Sequence, residues 1–241
     1  MSIQPHILVA PHQVSEKAVV CGEPNRVNRI AAHLTDVESL ADNREFRLMR
    51  GRYGDTTVTV CSTGIGAPSA IIALEELYQC GVKQLIRIGS AGALQPQIAI
   101  GDVIIAEAAV RDDGGSASYV KPGFPACANH HLVGKLQAYC AQHHICAHSG
   151  VVRSHDSFYT DQEQELCHYW HRQGVLGADM ETAALFTVGR LRQIEVAAIL
   201  ANVVLFNQDV KAGVNDYVAS SKASAEGERH AILAALNALC D

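Results

Sequence analysis

The sequence predicts an α/β fold in a single domain spanning residues 1–241, with a mostly parallel, twisted sheet covered by helices on both faces. Short apolar runs alternate with helix-period segments along the chain. Its 241 residues lie within the usual length of one α/β domain, and 48% of them are hydrophobic, enough for a sizeable core. Glycine occurs 19 times while aromatic residues make up 5%, which suits buried strands joined by tight turns.

The first half of the chain alternates strand and helix signals. The predicted elements are a strand over Ala18–Cys21, a helix over Asn25–His33, strands over Glu45–Tyr53 and Thr56–Cys61, a helix opened by Pro68 and ended by Gly81, and strands over Gln84–Gly89 and Asp102–Ala108. Gly54 and Asp55 predict a hairpin turn between two of these strands. Pro68 suits a first helical turn, where its missing N–H costs nothing.

The second half continues the same alternation. The predicted elements are a helix over Leu132–Gln142, a strand over His148–Ser154, helices over Gln162–His171 and Thr182–Leu191 around the short segment Gly177–Met180, a buried strand over Val196–Ala201, and a terminal helix over about Tyr217–Leu239. Two polar loops, Asp112–Pro125 and Asn207–Asn215, lie where lids over a ligand are expected.

Charge and the N-terminal segment limit the function classes. The formal net charge is −6, and no run of Lys and Arg forms a basic stripe, so we expect neither nucleic-acid nor membrane partners. The first ten residues, MSIQPHILVA, have no positive region before a long apolar run, so neither a signal peptide nor an anchor is expected. The interpretation is a cytoplasmic protein.

Eight cysteines and twelve histidines raise the questions of disulfides and metal. The cysteines show no framework spacing, so we expect reduced core residues. Two clusters contain both residue types: Cys140, His143, His144, Cys146 and His148, and then Cys167, His168 and His171. Neither has the paired ligand spacing that zinc sites favour, so a histidine-rich surface is the preferred interpretation, with zinc left open.

Three arginines lie where a ligand is expected in such a sheet. Arg87 stands inside the apolar strand QLIRIG, where a buried charge is costly unless it meets an anion or an internal carboxylate such as Glu181. Arg26 lies four residues beyond Gly22, at a helix N-terminus that favours anions. Arg44 precedes a strand. By sequence alone, Arg26 could instead cap a helix and Arg44 could be solvated.

A pair of carboxylates flanks Met180 in Asp179-Met180-Glu181, just before an apolar helix. Acidic residues at a helix N-terminus are favoured by the helix dipole, so a structural role explains them without a ligand. A ligand-binding role stays open for Glu181.

Several collinear motifs closely resemble the bacterial uridine phosphorylases, of the hexameric purine and uridine nucleoside phosphorylase type. They are Gly22-Glu23-Pro24-Asn25-Arg26, Asn43-Arg44-Glu45-Phe46, residues 61–69 (CSTGIGAPS), residues 86–96 (IRIGSAGALQP), Ser157-Phe158-Tyr159 with Gln162, and Met180-Glu181. The resemblance covers nearly the whole chain. It implies a three-layer α/β/α sandwich with a central twisted mixed sheet, and a homo-hexamer built as a trimer of dimers with shared active sites.

The resemblance also implies a role for each matching residue. Gly22, Arg26, Arg87 and Ser90 would hold phosphate, with Arg44 reaching it from the neighbouring subunit. Ser90, Met180, Glu181 and a partner's His6 would hold the ribose, and Phe158, Gln162 and Gln164 the base. Arg87, Glu181 and Arg26 would carry catalysis. No cofactor is implied beyond inorganic phosphate as co-substrate; Glu45, Ile65 and Ser69 match positions for a structural potassium ion at a dimer interface.

The base end departs from the family pattern. Gln164 stands where the uridine phosphorylases have an arginine, and a second expected arginine is replaced within Leu205-Phe206-Asn207. The purine enzymes place a Ser-Asp pair after the last buried strand, where this chain has Asn202-Val203-Val204 and no carboxylate before Asp209. The leading hypothesis is phosphorolysis of uridine; phosphorolysis of another pyrimidine or a purine nucleoside, and non-catalytic nucleoside binding, remain alternatives. Arg87→Ala is expected to abolish turnover while leaving the fold intact.

Overall fold

A computed structural model describes residues 2–208 and 222–240 of the chain. One large hydrophobic core fills it, and Phe46, Phe186 and Ile7 are among its largest fully buried side chains. Among the described residues, no helix is both long enough and apolar enough to cross a bilayer.

A ten-stranded mixed sheet forms the centre of the molecule. Its strands are β1 Lys17–Cys21, β2 Thr35–Asn43, β3 Phe46–Tyr53, β4 Thr56–Ser62, β5 Gln84–Ala93, β6 Val103–Asp112, β7 Ala126–Cys127, β8 Ala147–His155, β9 Gly177–Asp179 and β10 Glu195–Val204. The strand order is β10-β6-β8-β9-β5-β1-β4-β3-β2, with β7 beside β6. Within the described ranges, five strand pairs are parallel and five antiparallel, so the expectation of a mostly parallel sheet was wrong and the mixed sheet is confirmed.

The central strand β5 also pairs with β10, so part of the sheet closes into a ring through β6, β8 and β9. Its first half runs parallel to β1 on one edge and to β10 on the other. At Gly92 and Ala93 the short strand β9 becomes an antiparallel partner. This change of partner brings the ends of several strands together around the second half of β5.

Helices flank the sheet in two packed groups. They are α1 Pro24–Ala31, α2 Ala67–Gln79, α3 Gly114–Ala117, α4 His130–Gln142, α5 Glu163–Arg172, α6 Thr182–Leu191 and α7 Lys222–Cys240, and a 3-10 turn covers Pro11–Gln13. Helix α2 packs on α6, and α4 packs on α7, while α6 and α7 both contact β10. The central mixed sheet with flanking helices is the α/β architecture expected.

The main elements missed by sequence reasoning are at the margins. Strand β2, TDVESLADN, is mostly exposed along its length and carries no apolar alternation, because it pairs only with β3 at the edge of the sheet. The predicted loop Asp112–Pro125 contains α3, which Asp113 caps through its side chain. From residue 209 onward, the predicted lid Asn207–Asn215 lies outside the described residues, as does the predicted start of the terminal helix at Tyr217.

Candidate active site

A cavity of about 850 Å³ lies around the second half of β5. It collects residues that follow β1, end β8, follow β9 and follow β10, because the sheet brings these strand ends together. Nine of the residues singled out from the sequence line it: Gly22, Arg26, Ile65, Arg87, Ser90, Phe158, Gln164, Met180 and Glu181. They come from segments far apart in the chain.

Arg87 is buried in β5, with 3% of its surface exposed. Its Nε donates to Oδ2 of Asp179 at 3.1 Å, and one terminal nitrogen, NH2, donates to Oε2 of Glu181 at 2.5 Å. The other terminal nitrogen, NH1, is buried and has no hydrogen-bond partner among the described residues. Arg87 therefore pairs with internal carboxylates, one of the two kinds of partner that the sequence predicts. Its NH1 group is left as a donor that an anion in the cavity could use.

The two carboxylates of Asp179-Met180-Glu181 have different roles. Asp179 accepts from the backbone N–H and hydroxyl of Thr182 at the start of α6, and from Ser154 Oγ at 2.5 Å, so it is a structural cap. Glu181 lines the cavity and accepts from the backbone N–H of Gly66 at 2.6 Å. The structural interpretation thus holds for Asp179, which also accepts from Arg87 and lines the cavity. Glu181 makes no side-chain cap bond to α6, so a ligand-binding role stays open for it.

The environment of Glu181 shifts its protonation. Burial raises the pKa of Glu181 above its ordinary value, against the opposing charge of Arg87, and the nearby Asp179 raises it further. A raised pKa means that the carboxylate depends on its donors to stay ionised. The charge on Glu181 and the position of the Arg87 guanidinium are therefore linked.

Arg26, the second cavity arginine, is buried and held by a residue that sequence reasoning missed. Its Nε donates to Oε2 of Glu228 in α7 at 2.7 Å, and NH1 donates to the carbonyl of Ile88 at 3.3 Å. Arg29 also bonds both oxygens of Glu228. One signal could have found Glu228: it shares a helical face with the apolar residues three, four and seven positions on, where a lone acid needs a partner.

The lining that helix α5 and the segment before it contribute is aromatic and acidic. Phe158 contacts Tyr159 edge-to-face, with ring centroids 4.9 Å apart. Gln164 lines the cavity, but Gln162 is exposed at the N-terminal cap of α5 and is not among the lining residues. The next residue, Glu163, lines the cavity instead. Gln162 thus lies outside the cavity lining of this structure, and its assignment to the base pocket stays a prediction.

Glu163 was not singled out from the sequence. Its Oε1 accepts from Cys167 Sγ at 3.2 Å, one helical turn on, and its Oε2 is buried without a hydrogen-bond partner among the described residues. Burial and the bond to Glu163 raise the pKa of Cys167 to about 12, so this thiol stays a protonated donor. A carboxylate oxygen without a donor, in a cavity wall, fits a ligand that brings an N–H or O–H group.

The segment after β10 completes the base end. Phe206, at an expected arginine position, stacks on His171 with ring centroids 4.5 Å apart, and Oδ1 of Asn207 accepts from Nε2 of His168 at 3.1 Å. Asn202 is buried within β10 and donates to the carbonyl of Ala99, so it lies apart from the cavity wall. Asp209 lies outside the described residues.

Two residues expected to act across a subunit interface lie outside the cavity lining of their own chain. Arg44 is exposed in the turn between β2 and β3, with φ of 55°. His6 is half-buried, and its Nδ1 lies 2.5 Å from Oε1 of Glu76. Asn43 donates to the backbone carbonyl of His6, so both segments belong to one surface region.

The expected potassium ligands are neighbours. Ser69 Oγ lies 2.7 Å from Oε1 of Glu45 and 2.5 Å from the carbonyl of Thr63. Gly64 has φ of 70°, and a Cβ there would lie 2.7 Å from Cγ of Glu45, so glycine allows this close approach. Ile65 is 78% exposed and can offer only its backbone carbonyl. Bonds from its own backbone N–H and from Ser69 lower the pKa of Glu45, which favours the carboxylate.

Within the described residues, the cysteines form no disulfide with one another, which fits the expectation of reduced residues. Of the two histidine and cysteine clusters, the structure brings Cys146 and His148 together with Asp102, a residue not singled out from the sequence. His168 and His171 contact Asn207 and Phe206, beside the cavity.

Comparisons with known proteins show the family to which the chain belongs. The chain is similar to the guanosine phosphorylase of Halorubrum lacusprofundi, at 36% identity over 99% of both chains, and to the uridine phosphorylase of Escherichia coli, at 38% over 77% of this chain and 79% of the other. Its fold is similar to a crystal structure of uridine phosphorylase from Vibrio fischeri, with a TM-score of 0.94 and 55% identity, covering 100% of this chain and 98% of that one. Residues 16–237 match the family described as the Phosphorylase superfamily. The chain belongs to the phosphorylase superfamily.

Proposed function

We propose that this protein is a pentosyltransferase that cleaves a pyrimidine ribonucleoside with phosphate, uridine first, giving uracil and ribose 1-phosphate. One observation carries the proposal: Arg87, which has a buried NH1 without a partner among the described residues, lines one cavity together with Arg26, Glu181 and Phe158. These groups suit an anion, a sugar and a planar base. The relatives named uridine phosphorylase support uridine as the substrate.

The chemistry follows from positioning and charge. A phosphate oxygen forms a bond to the anomeric carbon as the glycosidic C–N bond breaks, and the bonding electron pair leaves on the base nitrogen, which then takes a proton. Positive charge builds on the ribose during this step, so the phosphate anion beneath it is stabilising. Arg87 and Arg26 would hold that phosphate by charge-assisted bonds.

Glu181 would accept hydrogen bonds from ribose hydroxyls and so fix the sugar over the phosphate. Ser90 and Met180 line the same cavity. As the resemblance implies, Ser90 would contact phosphate and ribose, and Met180 would contact the ribose. No covalent nucleophile is required, and Cys21 beneath the site suits this view, because burial raises the pKa of its thiol to about 12.

The active site is proposed to be shared within a homo-hexamer, a trimer of dimers. Arg44 is exposed at the turn between β2 and β3, and His6 lies in the same surface region. Both would reach the partner subunit's cavity. A role in pyrimidine salvage in the cytoplasm stays a prediction.

A structural potassium ion is proposed at Glu45, Ile65 and Ser69. A carboxylate, a hydroxyl and a backbone carbonyl form an all-oxygen donor set, which suits a hard monovalent cation. The contact between Ser69 Oγ and Glu45 Oε1, 2.7 Å, shows that two of these donors can approach one ion. The ion would order the turn that carries Arg44.

The proposed function is tested with purified protein and uridine, with and without phosphate. We expect uracil release only with phosphate, accompanied by ribose 1-phosphate in equal amount. Equal base release without phosphate would contradict phosphorolysis and indicate hydrolysis by water.

Guanosine is the second candidate, and the buried Oε2 of Glu163 favours it. Guanine presents two adjacent donors, a ring N–H and an amino group, whereas uracil presents one N–H between two carbonyls. A carboxylate accepts from donors and repels carbonyl oxygens. The guanosine phosphorylase of Halorubrum lacusprofundi, which aligns over 99% of this chain, supports the same candidate.

A panel of uridine, cytidine, inosine and guanosine separates the two candidates. If Glu163 accepts hydrogen bonds from the base, Glu163→Gln should lower kcat/KM for guanosine by about ten- to a hundredfold, as expected for loss of a charge-assisted hydrogen bond of roughly 1.5–3 kcal/mol. The kcat/KM for uridine should fall less. Glu165→Gln, at an exposed acid on the same helix that does not line the cavity, is the control and should change neither. Activity on uridine alone, unaltered in Glu163→Gln, rules out the guanosine candidate.

A further inference from the structure

A second cluster of ligand-type side chains lies outside the cavity lining. Asp102 precedes β6, and Cys146 and His148 lie at the start of β8, whereas the cavity is at the other end of β8, at His155. None of the three residues lines the cavity, so the cluster is separate from the proposed active site.

Strand pairing places the three side chains together. Strands β6 and β8 are parallel, with Val103 opposite Ala147, so Asp102 stands beside Cys146. Cys146 and His148 are two positions apart along the strand direction, and such residues point to the same face. The pairing thus brings three different ligand types to one point from two adjacent strand starts.

The distances suit a common ligand. His148 Nε2 lies 3.0 Å from Oδ2 of Asp102 and 3.9 Å from Sγ of Cys146, and the three ligand atoms all lie within 4.8 Å of one another. Around a tetrahedral zinc ion with bonds of about 2.0–2.3 Å, neighbouring ligand atoms are roughly 3.2–3.8 Å apart. Only small side-chain adjustments separate the observed cluster from that arrangement.

The donor set points to a borderline-soft divalent cation. Thiolate sulfur, imidazole nitrogen and carboxylate oxygen together are the ligands of zinc, whereas calcium and magnesium take oxygen alone. The cluster is open at Cys146, which is exposed, so water can occupy a fourth position. Asp102 is oriented by the backbone N–H of Ala99 at 2.9 Å, the kind of outer contact that holds a metal ligand in place.

We propose that Asp102, Cys146 and His148 form a binding site for zinc or a similar divalent cation, joining the starts of β6 and β8. Binding converts the Cys146 thiol to a thiolate and releases its proton to solvent. An ion pair between Asp102 and His148 alone would explain two of the three residues, but it gives no role to an exposed cysteine aligned with them.

The site is also linked to the cavity through the backbone. The N–H of Asn202 donates to the carbonyl of Asp102 at 2.8 Å, and the N–H of Gly101 donates to the carbonyl of Asn202 at 2.9 Å. Strand β10 then continues to Val204, which lines the cavity. A bound cation would therefore restrict the motion of the residues just before β6, to which β10 is hydrogen-bonded.

The test titrates reduced, metal-free full-length protein with cobalt(II) as the spectroscopic probe for zinc. We expect one equivalent to give a thiolate-to-cobalt absorption band that zinc(II) abolishes by competition. Cys146→Ser should lose that band, and His148→Ala should weaken cobalt binding at least tenfold. Asp102→Asn should weaken it as well.

Matched controls remove the same residue types outside the cluster. Cys127→Ser removes another exposed cysteine, and His144→Ala removes a histidine two residues before Cys146; both should bind cobalt as the unaltered chain does. A circular dichroism spectrum equal to that of the unaltered chain confirms that Cys146→Ser is folded. The proposal is overturned if the unaltered chain binds no cobalt, if the band survives in Cys146→Ser, or if His144→Ala abolishes it.

Discussion

Arg87 in β5 and Glu181 before α6 form a buried ion pair, with NH2 of Arg87 2.5 Å from Oε2 of Glu181. The residue proposed to hold phosphate is thereby positioned by the residue proposed to hold ribose. Because both side chains are almost wholly buried, neither charge is screened by water. Binding at one end of the site therefore affects the other.

Replacing Arg87 should affect both activity and stability. Arg87→Ala removes the unpartnered NH1 donor and should lower phosphate-dependent turnover by about a thousandfold. It also leaves Asp179 and Glu181 buried without their cation, which costs on the order of 3–5 kcal/mol of unfolding free energy. The expectation that the fold stays intact is therefore revised: these contacts argue for a marked loss of stability.

Arg87→Lys separates the two effects. Lysine keeps the charge but has a single nitrogen in place of the guanidinium fork. We expect most of the stability to return, measured by urea unfolding, while turnover at saturating phosphate stays low. Turnover close to that of the unaltered protein in either variant would contradict a phosphate role for Arg87.

Glu228 should position Arg26. Burial raises the pKa of Glu228, but hydrogen bonds and charge from Arg29 and Arg26 outweigh it, so the net pKa lies below the ordinary 4.5. A depressed folded-state pKa contributes stability above the unfolded-state value, and this stability is lost as pH falls through the folded-state value. Glu228→Gln should therefore flatten the acid limb of the stability curve below about pH 4.5, and raise the KM for phosphate roughly tenfold.

The control for Glu228 is Glu226→Gln on the same helix. Glu226 is exposed and paired with Arg229, and such a surface pair contributes about 0–1 kcal/mol. We expect the phosphate KM of this variant to be unchanged. Equal effects of the two substitutions on phosphate KM would remove the positioning role from Glu228.

Gly89 should be required for the packing of Arg87. A Cβ at this position would lie 2.6 Å from Cδ2 of Leu200 and 2.8 Å from NH2 of Arg87. Gly89→Ala is expected to cost about 1–3 kcal/mol of unfolding free energy and to reduce turnover by displacing the guanidinium.

Gly134→Ala in helix α4 is the matched substitution, because nothing lies within 4 Å of its added Cβ. There alanine should stabilise by up to about 1 kcal/mol and leave kinetics unchanged. If Gly89→Ala had the stability and turnover of the unaltered chain, Leu200 and Arg87 could shift without loss of free energy, and the requirement for Gly89 would be contradicted.

Arg44 should act on the neighbouring subunit. We expect Arg44→Ala to lose phosphate affinity by roughly ten- to a hundredfold, as for other charged hydrogen bonds. Mixing Arg44→Ala with Arg87→Lys protein under conditions that reassemble dimers should create one intact site per mixed dimer. Activity should then rise above that of either variant, and no recovery would contradict a shared site.

The sequence by itself determined the elements and the chemical types of the site. Periodicity located most strands and helices, since apolar spacing reports which face of an element is buried. The position of Arg87 inside the apolar strand QLIRIG indicated a buried partner, because burying an unpaired charge costs too much free energy. The motifs around Ser90 and Glu181 indicated the family.

Tertiary structure alone decided which partners meet. Glu228 holds Arg26 from 202 residues away, and no local pattern encodes such a pairing. Helix α5 decided that Glu163, and not Gln162, lines the cavity, because one step along a helix rotates a side chain by about 100°. Strand register likewise brought Asp102 beside Cys146. Sequence spacing specifies which face of a helix or strand is buried, whereas strand order and helix packing specify which residues become neighbours. The proposed base-binding part of the site depends on strand order and helix packing.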